Sequence, residues 1–180
     1  MQEYIDLIEN ALQRIVGAYF LLPTTYTRAG ITRERIFCYE FYHQIRCLIG
    51  DNDLLLLHGE IDKRGHRDFA PGHRVNPDFV FHVPGTHERN TVVVEVKGNL
   101  NEAGIRKDFN TLLNFTEHYG YRLGIFVLFG HSVKELWKLR KGILLPLTHR
   151  PTAERILIIT IEQPHGNCEK LPLSEIQTEL

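Results

Sequence analysis

Two short motifs in this chain are of the right types and spacing to do chemistry. Asn76-Pro77-Asp78 opens one run of strand-forming residues, and Glu95-Val96-Lys97 closes the next. Side chains alternate along a strand, so Glu95 and Lys97 share a face, roughly 6.6 Å apart along it. Val92, Val94 and Val96 take the other face and can pack under a helix. The seven residues Pro84-Gly85-Thr86-His87-Glu88-Arg89-Asn90 are of turn type and predict an antiparallel hairpin. Such a hairpin sets Asp78, at the start of one strand, beside the end of the other. Two carboxylates and an ammonium then converge at one end of a sheet.

That trio suits phosphodiester hydrolysis. Asp78 and Glu95 can hold Mg²⁺ (or Mn²⁺) through oxygen while the ion keeps several waters. A metal there lowers the pKa of a bound water and offsets charge building on the phosphate. Lys97 can position the attacking water and share in that charge stabilisation. Read singly, each motif is ordinary. Pro-Asp is turn chemistry before a strand, and Glu-Val-Lys is a solvated strand face with an apolar side. The pair is more specific than either, with sixteen residues between Asp78 and Glu95 on predicted neighbouring strands.

The elements that must position these groups can be read from periodicity. Ile5, Ile8, Leu12 and Ile15 lie on one face of a predicted helix over 2–16. Leu21-Leu22-Pro23-Thr24-Thr25 breaks it, and Thr32 caps a second helix over 33–48 that stops at Gly50. A first strand is expected from Leu54 to Leu57, continuing toward Ile61, followed by an exposed loop from Asp62 to Arg74. Strands follow over 78–83 and 91–97. A helix over 102–118 shows its period in Ile105, Phe109, Leu112 and Leu113 and ends at Gly120. A strand over 122–129, a basic helix over 132–141 and a strand over 155–161 complete the pattern. Beyond Gln163 we expect surface loop and a weak terminal turn. This order describes one α/β domain with a mixed central sheet flanked by helices.

Bulk properties set the outer limits. With 43% hydrophobic and 24% charged residues, disorder, collagen and disulfide scaffolds are excluded as classes. No apolar run reaches the ~18 to 20 residues of a membrane span. The acidic, amphipathic start Met1-Gln2-Glu3-Tyr4-Ile5-Asp6 is unlike a signal peptide, so the expected compartment is the cytoplasm. Cys38, Cys47 and Cys168 are widely spaced and read as reduced thiols. A net charge of −1 gives no whole-molecule attraction to nucleic acid, so any contact must be a local patch.

The candidate patches are Lys63, Arg64, Arg67 and Arg74 in the polar loop, and Arg106 and Lys107 on the helix after Lys97. A second basic run, Lys134, Lys138, Arg140 and Lys141 around Trp137, reads as a solvated helix face with the indole packed inward. The ten histidines offer no HExxH or Cys/His cluster for zinc. His43, three residues after Glu40, reads as a surface histidine. Glu60, at the end of the first strand, is a candidate extra metal ligand.

Asp78 with Pro77, then Glu95-Val96-Lys97, resembles the PD-(D/E)XK nuclease superfamily, the restriction-endonuclease-like fold. The resemblance covers roughly residues 32–130, with the core order helix-strand-strand-strand-helix-strand (αβββαβ). It divides the single domain into an N-terminal helical extension (1–30), a core (31–130) and a C-terminal helix-strand extension (131–180). It implies that Asp78 and Glu95 are metal ligands, that Lys97 is the catalytic lysine, and that Glu40 is the auxiliary acid of the first core helix. Val96 is counted with Asp78, Glu95 and Glu40 in the metal set. The implied activity is Mg²⁺-dependent (or Mn²⁺-dependent) cleavage of DNA, as endonuclease or exonuclease, duplex or single-stranded, with a homodimer compatible. A non-catalytic nucleic-acid-binding or interaction module of the same fold, or a partner-dependent nuclease subunit, is the alternative.

Overall fold

Val92, Val94 and Val96 are fully buried on one side of a six-residue strand, against a cluster that includes Phe37, Phe41 and Ile8. Val93, on the other side, belongs to a second cluster with Phe109, Leu112 and Phe126. Strand alternation therefore sends one face of a single sheet into each of two cores. The computed structural model describes residues 1–26, 29–50, 56–60, 76–83 and 89–177.

The sheet has six strands lying side by side in chain order. They are β1 (Leu57–Gly59), β2 (Phe79–Phe81), β3 (Val92–Lys97), β4 (Leu123–Phe129), β5 (Ile156–Ile161) and β6 (Glu169–Pro172). β1, β2 and β3 pair antiparallel, β3, β4 and β5 pair parallel, and β6 returns antiparallel to β5. Parallel neighbours need a crossover, and helices supply it. Helices α1 (Gln2–Gln13), α2 (Gly17–Phe20) and α3 (Glu34–Ile49) cover the valine face of β3, and α4 (Glu102–His118) and α5 (Val133–Leu147) cover the other. The protein is an α/β fold with an open mixed sheet between helical layers.

Local chemistry explains the boundaries. α4 opens at Asn101, whose side-chain oxygen accepts from the Gly104 N–H at 2.7 Å, and it is closed by Gly120 at φ 70°. α5 opens with a capping box between Ser132 and Glu135. Four expectations need correction. The cap of α3 is Arg33, with no side-chain hydrogen bond, in place of Thr32. The first helix stops at Gln13, not at 16, and the short α2 follows it. The helix expected over 132–141 runs on to Leu147, bending at Arg140, where φ is −128°. After Gln163 the expected loop gives way to a strand, β6, before the expected terminal turn, a 3-10 helix, and together they bury Leu171, Leu173 and Ile176. A four-residue edge strand with one inward leucine is too short to show a period of two.

The valine-face core is aromatic at one end. Phe37 of α3 stacks on Phe129 of β4 with ring centroids 3.8 Å apart, and Phe20 meets both edge-on. Gly98, directly after Lys97, is required by this packing. A Cβ there would lie 2.3 Å from Phe129 Cζ and 2.6 Å from Thr32 Cγ2. Among the described residues, no helix is long and apolar enough to cross a membrane.

Candidate active site

The register of β2 and β3 pairs Phe79 with Val94, so the next step along the pair sets Asp78 opposite Glu95. Asp78 is two residues before Val80, and Glu95 two after Val93, so both carboxylates lie on the α4 side of the sheet. The Val96 N–H donates to Asp78 Oδ2 at 2.7 Å, fixing the aspartate against the end of β3. A residue's N–H and C=O point to the same side of its strand, so the Val96 carbonyl also faces the Asp78 edge. Asp78 Oδ1 is left without a hydrogen bond among the described residues. Glu95 is 2% exposed, and its Oε1 is buried with no hydrogen-bond partner among the described residues.

Lys97 ends the strand. Its ammonium lies 3.0 Å from Glu34 Oε2 and 2.9 Å from Asp108 Oδ2. Glu34 is in the first turn of α3 and Asp108 is on α4, so helices of both layers grip one side chain. Asn99 also donates to Glu34 Oε1. Lys107 approaches from the rim, with Nζ 3.7 Å from Asp108 Oδ1.

Burial and mutual repulsion set the titration of these groups. Burial lifts the Asp78 carboxyl to about 6, with Asp108 adding to the rise and the Val96 N–H opposing it. Burial lifts Glu95 well above the ordinary carboxylate range, and the charges of Asp78 and Asp108 push it further. Burial draws Lys97 down, yet Asp108 and Glu34 outweigh it and hold the ammonium above its usual value. Asp108, raised by its own burial, is partly relieved by Lys97. The cluster thus holds four carboxylates against Lys97 and Lys107. It is short of positive charge around Asp78 and Glu95.

A hard divalent cation fits that deficit. Among the described residues, no group of three or more His, Cys, Asp or Glu is arranged to hold a metal ion. Asp78, Glu95 and the Val96 carbonyl are a smaller donor set, of the kind Mg²⁺ accepts because it retains several waters. The buried, unpartnered Glu95 Oε1 is the atom that such an ion would satisfy.

The other expected residues divide clearly. Glu40 is not at the cluster. Its carboxylate accepts from Gln44 at 2.7 Å, about 100° round α3 from the middle of the Phe37, Phe41 and Ile45 stripe. Glu34 lies about 20° from that middle and takes the place expected of Glu40. His43 is exposed and contacts Cys47 on its own helix. Glu60 stands at the rim, its N–H donating to the Asp78 carbonyl at 3.0 Å and its carboxylate paired with Arg35 at 3.4 Å. Arg106 pairs with Glu102 along the exposed side of α4, leaving Lys107 as the nearer cation. Lys63, Arg64, Arg67 and Arg74 lie outside the described residues. Trp137 is half-buried against the α4-side core with Lys141 over its ring. Cys38, Cys47 and Cys168 are free thiols.

A cleft of about 510 Å³ opens beside Asp78, with Tyr39, Tyr42, His58, Glu60 and Phe79 in its walls. No family model, no curated protein and no solved structure matches this chain.

Proposed function

We propose that this protein hydrolyses phosphodiester bonds in DNA with a divalent metal ion, Mg²⁺ or Mn²⁺. The observation that carries the reading is the juxtaposition of Asp78 and Glu95. Two carboxylates lie opposite each other at the ends of neighbouring strands, Glu95 buried and Asp78 half-buried, one Glu95 oxygen has no partner among the described residues, and a lysine lies two residues along the same strand face. The order α3, β1, β2, β3, α4, β4 agrees with the αβββαβ order that the resemblance to the PD-(D/E)XK superfamily implies, in which Asp78, Glu95 and Lys97 would take the motif positions.

Asp78 Oδ1, Glu95 and the Val96 carbonyl are the groups that would hold the ion. When bound, the metal supplies an activated water and charge stabilisation at the phosphate. The chain's own groups do the rest. The Val96 N–H keeps Asp78 oriented, so little reorganisation accompanies binding. Lys97, protonated throughout the neutral range, holds the attacking water in line and takes up charge developing on the phosphate. Glu34 and Asp108 fix where that ammonium points. Lys107, 59% exposed, is free to reach a flanking phosphate.

A second reading, a non-catalytic nucleic-acid-binding module or a partner-dependent subunit, draws on one observation. The Lys97 ammonium is already held between two carboxylates, so its charge is largely neutralised before any substrate arrives.

Cleavage of supercoiled plasmid and of a single-stranded oligonucleotide, with Mg²⁺ and with Mn²⁺, tests the proposal. Wild type should cut only with metal. Asp78→Asn should be inactive, and Lys97→Ala should lose roughly 10²- to 10³-fold in rate. Cutting that persists in both variants would sink this assignment of the site. Metal binding without cutting would favour the second reading.

A further inference from the structure

We propose that the cleft beside Asp78 is a pocket for one unpaired nucleobase, which makes single-stranded nucleic acid the substrate class of this site. The inference rests on the phosphodiesterase reading of Asp78 and adds a specificity to it.

Tyr39 carries the argument. It sits on α3 at the mouth of the cleft and is 65% exposed, among the most exposed large side chains of the described residues. Its ring meets no other ring and its hydroxyl bonds nothing among those residues. With Tyr42 and Phe79 in the same walls, its ring completes an aromatic lining that suits an aromatic occupant. The remaining walls are consistent with that occupant. Tyr42 is set in place by a contact of 3.5 Å from its hydroxyl to the Leu57 carbonyl, and its ring leans on Phe79 at 6.1 Å. His58, in contact with His82 through Nδ1 at 3.0 Å, adds an imidazole to the lining. The result is an aromatic wall, an imidazole and Asp78 around one cavity.

The geometry of the bases argues against a duplex in the same place. A duplex keeps both faces of each base stacked inside, so it offers no π-face to Tyr39. An unpaired nucleotide can turn its base onto the ring while its phosphate stays over Asp78 and Glu95. Stacking of this kind is sequence-tolerant, because every base has a π-face. A volume of about 510 Å³ falls within the range of small-molecule sites and suits a nucleoside.

The experiment is fluorescence anisotropy with the full chain in Ca²⁺, using three 12-mer probes: an oligothymidylate, the same length with abasic sugars throughout, and a duplex. Plasmid and oligonucleotide cleavage in Mg²⁺ is measured separately. The single strand should bind at least tenfold more tightly than the abasic strand or the duplex. Tyr39→Ala should weaken it about 5- to 150-fold, the range of one lost stacking contact. Tyr39→Phe should bind like wild type, and because residue 39 is exposed both variants should melt like wild type. Equal binding of the abasic strand, equal binding of the duplex, an unaffected Tyr39→Ala or no binding of any probe would each overturn the proposal, whatever the cleavage assay shows. Full displacement by equimolar thymidine monophosphate would also overturn it, by making the site a mononucleotide pocket. The expected binding pattern without cleavage would leave the base pocket standing and sink only the nuclease reading.

Discussion

The two sides of β3 belong to the same six residues and live in opposite chemistries. On the α3 side, Val92, Val94 and Val96 are buried in a cluster of aliphatic side chains and aromatic rings. On the α4 side, Val93 gives way to Glu95 and Lys97, a carboxylate with an unpartnered oxygen and an ammonium held by two acids. Burying charge is unfavourable, and a strand is held in such a state only if something else fixes it. Here the valine side does so. The division of labour within one strand is that one face stabilises the fold and the other holds buried charged groups.

That division can be broken from either side. The largest effect is expected on the apolar side. Phe37→Ala removes the ring stacked on Phe129 and should cost about 3 to 5 kcal/mol in urea unfolding, metal or no metal. The charged side should respond to pH instead. Folded Asp78 titrates at about 6, above its unfolded value near 3.8. The folded chain therefore binds the extra proton, and stability is highest below pH 4 for this group and falls as pH rises through 6. In EDTA, the melting temperature should rise as pH drops from 7.5 to 5, with roughly 1.4 kcal/mol released over that window. Asp78→Asn should flatten the slope. A slope unchanged in that variant would place the titrating group elsewhere. Added Mg²⁺ should reverse the trend, since protons and metal compete for the same carboxylate.

A third probe falls on the seam between the two sides. Gly98→Ala forces a methyl against Phe129 and Thr32 and should cost about 1 to 3 kcal/mol. Because Gly98 follows Lys97, cleavage should fall by more than the loss of folded protein explains. Equal falls would show that Lys97 tolerates displacement.

Much of this arrangement was readable before any coordinates. The alternation in residues 91–97 announces a strand buried on one face, and turn residues announce its hairpin with β2. Ile105, Phe109, Leu112 and Leu113 mark α4 with the bounds it has, Glu102–His118. The site was less legible, for a geometric reason. Which acid on α3 faces the sheet depends on the rotation of the helix, and Phe37, Phe41 and Ile45 set that rotation so that Glu34 turns inward and Glu40 does not. Asp108 did leave a signal. It stands three residues after Ile105 and four before Leu112, so it interrupts the buried stripe with a charge, which calls for a partner nearby. The partner, Lys97, is visible only once α4 is folded back over β3.

The double grip on Lys97 has a consequence for assembly. Glu34 and Lys97 are 63 residues apart, and Asp108 reaches the same ammonium from the opposite layer. The amine is shielded only when both helical layers have docked on the sheet. Its reactivity toward an acylating reagent should therefore act as a gauge of complete folding: slow in the finished protein, and fast in any intermediate lacking either layer.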